Sequence, residues 1–137
     1  MSAKVSPHQA LIYLMVLVSA SDANMTDGEL GEIGYIVQKF PIFRDFDPER
    51  LVVAAEEVGE ILSADGGLDA VLELARSSIP AKLRETAYAV AVEVAAADSR
   101  VAQEELRVLE LIRNKLEIDR LAAAAIERSA RARHMTL

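Results

Sequence analysis

The chain has 137 residues, a formal net charge of −7, no cysteine and 52% apolar residues, of which few are aromatic. That length closes one hydrophobic core, and the abundance of Ala, Leu, Val, Ile and Glu favours helices packed through aliphatic side chains. The charge argues against a nucleic-acid backbone or an anionic membrane as partner, and the lack of cysteine removes disulfides and thiolate metal sites.

Ser6-Pro7 reads as a helix start, an acceptor at the cap followed by a proline whose missing N–H costs nothing there. The first helix is expected to run to about Ser21 and is apolar nearly all round from Leu11 to Val18, the mark of a central, buried helix. Lys4 followed by this apolar run resembles a signal peptide, but the run is also half of an internal repeat whose second half lies mid-chain. It is also too short for a bilayer, which takes about 20 residues. A cytoplasmic protein without stable membrane insertion is therefore expected.

Asp22-Ala23-Asn24 ends this helix, and Thr26-Asp27-Gly28-Glu29 matches a capping box for a second helix to about Lys39, with Leu30, Ile33, Ile36 and Val37 inward. Pro41 closes it, and Ile42 to Phe46 forms an apolar connector. Asp47-Pro48 opens a third helix to about Leu62, with Leu51, Val52, Ala55, Val58 and Ile61 inward and Glu56, Glu57 and Glu60 on a solvated face. Asp65-Gly66-Gly67 turns the chain into a fourth helix, Leu68 to Arg76, which buries Leu68, Val71, Leu72 and Ala75. Ser77 to Pro80 starts a fifth that reaches Ala97, and a sixth extends to about Leu116. Asp119 caps a seventh, whose basic tail (Arg128, Arg131, Arg133, His134) is expected to fray. No window alternates with period two, so the fold is predicted to be all-α, a compact bundle of about seven helices in a single domain.

Two stretches repeat one layout. At one constant offset Val16, Val18, Ala20, Asp22, Glu29, Leu30 and Lys39 recur as Val92, Val94, Ala96, Asp98, Glu105, Leu106 and Lys115. The predicted units, residues 8–40 and 84–116, are each a helix, an acidic turn and a helix. Asp and Asn are ordinary turn residues, and Glu after a Thr cap is ordinary capping chemistry. Against that simple account, each Asp follows a helix C-terminus, where the macrodipole disfavours a carboxylate and favours a cation. Unit two also keeps Glu105 although its capping position holds Ala102. If the two hairpins pack together, Asp22, Glu29, Asp98 and Glu105 come to one side of the domain. Four carboxylates there repel unless a hard cation with oxygen ligands, Ca²⁺, Mg²⁺ or Mn²⁺, neutralises them.

The pattern is not an EF-hand. Counting from Asp22, the glycine position holds Asp27 and the closing glutamate position holds Ile33. The repeated unit Ala-Asp-Gly-x-Ile-x-x-x-Glu resembles the TerB-like tellurite-resistance family. Ser21-Asp22-Ala-Asn-Met25-Thr-Asp-Gly-Glu29 and Ala97-Asp98-Ser-Arg-Val101-Ala-Gln-Glu-Glu105 fit it at the acids and at the apolar position. Both depart from it after the Asp, with Ala23 and Ser99 where glycine is usual. The resemblance covers about residues 8–120. It implies a cytoplasmic seven-helix domain with an acidic divalent-cation site and a link to metal or oxyanion stress.

Three functions are open. The first is a non-enzymatic cation-binding domain using Asp22, Glu29, Asp98 and Glu105. The second is an interaction module whose acidic turns are structural, with an apolar groove for a partner helix or a homodimer interface. The third and weakest is a hydrolase or lyase using paired carboxylates. Glu93 stands where unit one has Leu17 and is read as a solvated residue or an addition to the acidic site. His8 and His134 have no companions at ligand spacing and are read as core or tail residues. There is no Glu-x-x-His pair for a ferritin-like centre and no Gly-rich phosphate loop.

Overall fold

The computed structural model describes residues 4–19, 27–97 and 103–137. Among them are seven α-helices and no strand: α1 (Pro7–Ser19), α2 (Asp27–Lys39), α3 (Leu51–Ser63), α4 (Gly67–Ser78), α5 (Arg84–Ala97), α6 (Gln103–Lys115) and α7 (Arg120–Arg133). Short 3-10 turns at Pro41–Phe43, Pro48–Arg50 and Ala81–Leu83 lead into or out of them. No helix among the described residues is long and apolar enough to cross a membrane.

The start of α1 is a reciprocal capping box. Ser6 Oγ accepts from the Gln9 N–H at 3.1 Å, and Gln9 Oε1 accepts from the Ser6 N–H at 3.0 Å. From there every residue from Ala10 to Val18 is buried. A helix apolar on all sides has to be enclosed, and α1 is: α2, α3, α4, α5 and α6 all pack on it. The second hub is α5, where Ala87, Val90, Ala91, Val94 and Ala95 are buried and α1, α2, α6 and α7 make contact. Its alanines keep the surface low, so neighbouring helices approach closely.

Each hub carries a tyrosine with its ring in the core and its hydroxyl on an outer helix. Tyr13 of α1 donates to Glu57 of α3 at 2.9 Å, and Tyr88 of α5 donates to Glu127 of α7 at 2.5 Å. Burial and the acceptor carboxylate push the Tyr13 hydroxyl up to about 12 and raise Tyr88 in the same way. Glu57 is thus an anchored acceptor and not a member of a solvated face.

Helix ends follow the sequence signals closely. Asp47 accepts from the Glu49 N–H at 3.0 Å, and Asp119 accepts from Leu121 and Ala122 at 3.1 Å each. The turn from α3 to α4 needs both its glycines. Gly66 has φ +73, and a Cβ on Gly67 would lie 2.2 Å from the Ile61 carbonyl oxygen. At the end of α6, the Ile118 N–H reaches back to the Arg113 carbonyl at 3.0 Å, with Glu117 at φ 55. Arg76 of α4 ties down this end, donating to the Lys115 carbonyl at 2.6 Å and pairing with Glu117 at 3.1 Å.

Two helix faces differ from expectation. In α3 the buried stripe is Leu51, Ala54 and Val58, and Val52 is 50% exposed. Spacing of three and four residues from Leu51 turns Val52 and Val53 away from the core, so an apolar residue did not imply an inward one. In α4, Leu68 stands at the helix start and is partly exposed, while Val71, Leu72 and Ala75 are buried as expected.

Candidate metal centre

Two of the four acids singled out in the sequence lie among the described residues, and both sit at helix starts. Glu29 is in the first turn of α2 and half-buried, and Glu105 is near the start of α6 and only 8% exposed. Asp22 and Asp98, together with Thr26 and Ala102, fall in segments 20–26 and 98–102, outside the described residues. The described residues contain no group of three or more acids or histidines able to hold a metal.

The helix dipole accounts for an exposed acid at a helix start, since unbonded N–H groups there present partial positive charge. It does not account for burial. A carboxylate removed from water is costly unless hydrogen bonds or a cation compensate it. Glu105, the one acidic residue buried among those described, has such an interaction within the protein, and its helix packs against both hubs, α1 and α5. Glu29 has the same topological place on α2, which also packs against both hubs.

Sequence reasoning did not single out Ser19, the last described residue of α1, whose Oγ is buried with no hydrogen-bond partner among the described residues. A buried hydroxyl normally finds a partner, and the segment that carries Asp22 follows directly in the chain. A lone serine in an apolar helix gives no sequence signal of this kind. Serine hydroxyl and carboxylates form an all-oxygen donor set, which suits hard divalent cations and not thiophilic metals.

Glu93 is neither solvated nor grouped with those acids. Its side chain is 13% exposed and takes Arg133 on one carboxylate oxygen and His134 Nε2, at 2.5 Å, on the other. Burial alone would raise this carboxyl, but the hydrogen bonds from His134 and Arg133, with their charges, outweigh it and hold the group below its ordinary range. The basic tail therefore does not fray at this point: α7 runs to Arg133 and is pinned to α5. The clue in the sequence was one acid on an alanine-rich face facing a basic tail, and neither half was legible alone. His8, by contrast, is a packing residue. It stacks on Phe43 with ring centroids 5.7 Å apart, and its Nε2 lies 2.7 Å from the Ile42 carbonyl oxygen.

Five helices around two buried hub helices, with carboxylates at the starts of α2 and α6, define a small all-α domain. The chain belongs to the family described as tellurite resistance protein TerB, whose model matches residues 8–131. Membership implies a function related to tellurite resistance. No curated protein and no solved structure matches the chain.

Proposed function

We propose that this TerB domain is a non-enzymatic, cytoplasmic binder of a divalent cation that serves in tellurite or metal stress. Asp22 and Asp98 are the main ligands, and Glu29 and Glu105 complete the site. The observation that carries this reading is the matched placement of Glu29 and Glu105 at the starts of α2 and α6, each directly after a segment that carries one of the two aspartates. Two further features support it: the segments that carry Asp22 and Asp98 link α1 to α2 and α5 to α6, and α1 packs directly on α5. A duplicated hairpin arranged in this way brings two negatively charged corners to one ion. When bound, the cation neutralises the carboxylates and ties the two turns together. The protein's own part is to hold the oxygens and to spare them the mutual repulsion they meet when empty.

The test is thermal unfolding of chelator-treated protein with and without Ca²⁺, Mg²⁺ or Mn²⁺. At about a hundredfold excess over the dissociation constant, binding adds about 2.7 kcal/mol, a rise in melting temperature of roughly 5–10 °C for a domain of this size. Asp22→Ala/Asp98→Ala protein is expected to show no rise. An unchanged melting temperature with all three ions at about millimolar concentration, the weak end of biological Ca²⁺ sites, would contradict the proposal.

A further inference from the structure

Of the five outer helices, α7 is held differently from the rest. Each of α2, α3, α4 and α6 buries at least two side chains larger than alanine, with Ile33, Val58, Val71 and Ile112 fully enclosed. Helix α7 buries only Ala123 and Ala130, with Ile126 partly covered. Among the described residues it is also the one helix in broad contact with a single neighbour, α5. On its α6 side a groove of about 480 Å³ reaches down to Val92 and Ala95, so water flanks the seam between α5 and α7.

Apolar stabilisation scales with the area removed from water, and two alanines remove little. What closes the seam is polar. Ala123, Glu127, Ala130 and His134 recur along α7 at helical spacing. Tyr88 donates its hydroxyl to Glu127 at 2.5 Å, while Arg133 and His134 each take one oxygen of Glu93. The chain just before α7 is fixed without help from α5. Leu116 is buried, and Arg76 of α4 holds the Lys115 carbonyl and Glu117. Asp119 caps α7 from outside the seam, accepting from Leu121 and Ala122. The helix start is therefore independent of docking on α5, and residues 117–119 are where the chain can swing.

We propose that α7 is a releasable strap, which leaves α5 as a unit by swinging at residues 117–119 while α1 to α6 stay folded. The Tyr88–Glu127 bond and the clasp on Glu93 set how often it opens. Proteins open in cooperative pieces, and pieces with few buried apolar contacts open most readily. Opening uncovers Tyr88, 2% exposed when the strap is closed, and turns the groove into an open face of α5. The strap does not depend on cation binding, since its contacts include none of the four proposed ligands.

Native-state hydrogen exchange of the full chain, read amide by amide where exchange follows the opening equilibrium, tests it. Amides from Ala124 to Ala130 are expected to share one protection level, at least about a hundredfold below that of the enclosed Leu14 and Met15 in α1. Two conservative variants separate release of the strap from unfolding of the domain. Glu93→Gln weakens the clasp and is expected to speed exchange in α7 about tenfold, since hydrogen bonds to charged groups are the stronger kind. Tyr13→Phe removes a bond between α1 and α3 that the open form still has. It is expected to speed exchange in α1 and leave α7 unchanged. Protection of α7 equal to that of α1, or equal acceleration of both by Tyr13→Phe, overturns the proposal, because α7 then leaves only when the whole domain unfolds. Protection that falls steadily toward Arg133 overturns it too, as fraying from one end. Unchanged α7 exchange in Glu93→Gln overturns the role of the clasp.

Discussion

At the scale of single residues, the informative positions are those where the backbone or burial demands something unusual. Glu117 holds φ 55 at the end of α6, a conformation that costs an L-residue about 1 kcal/mol and a glycine almost nothing. Its ion pair with Arg76 is largely exposed and offsets little of this. Glu117→Gly is therefore expected to raise the unfolding free energy by roughly 0.5–1 kcal/mol, read as a higher urea midpoint at unchanged slope. Glu93 gives a pH prediction. The native state holds its carboxyl ionised to lower pH than the unfolded chain, whose ordinary value is 4.5. As pH falls through and below that value the unfolded state takes up the proton first, so the stability contributed by this group is present above it and lost beneath it. Glu93→Gln should be less stable than wild type at neutral pH and should lose less stability on acidification below about pH 4.5. Equal acid sensitivity in the two proteins would show that the contact with Arg133 and His134 does not govern it. This pairing was hidden in the sequence because its partners are far apart in the chain, and only the packing of α7 on α5 brings them together.

At the scale of elements, the two tyrosines act as struts from hub to outer helix. Losing one such bond costs about 0.5–1.5 kcal/mol, so Tyr13→Phe and Tyr88→Phe are each expected to lower stability by that much. Their sites lie on different helix pairs, and the double variant should show the sum of the two losses by chemical denaturation. A marked departure from additivity would mean that α3 and α7 communicate through the core. Elements were also the most legible level in the sequence. Caps at Ser6, Asp47 and Asp119, breaks at Pro41 and Gly66-Gly67, and the all-round apolarity of α1 each correspond to a physical demand of the chain's own neighbourhood. The face of α3 was less legible, because Val52 and Val53 are apolar residues that the helix period carries to the outside.

At the scale of the whole molecule, the architecture follows from enclosing two apolar helices. A chain with this many buried positions on α1 and α5 must wrap them, and five amphipathic helices do so without a sheet. The family assignment was legible from two short acidic units because their spacing repeats, and the match over residues 8–131 agrees with it. The proposed site could be read only as residue types, since whether two distant segments meet is a property of tertiary packing. Burial of Glu105 is the part that the sequence could not have shown.

The claim on which this account rests is that the domain holds one divalent cation through Asp22, Asp98, Glu29 and Glu105. Isothermal titration calorimetry of chelator-stripped protein with Ca²⁺, Mg²⁺ and Mn²⁺ tests it most directly. The account predicts saturable binding of at least one of these ions at one per chain, abolished in Asp22→Ala/Asp98→Ala and weakened about tenfold or more in Glu105→Gln. Heats indistinguishable from dilution for all three ions, or binding that survives loss of both aspartates, would contradict it.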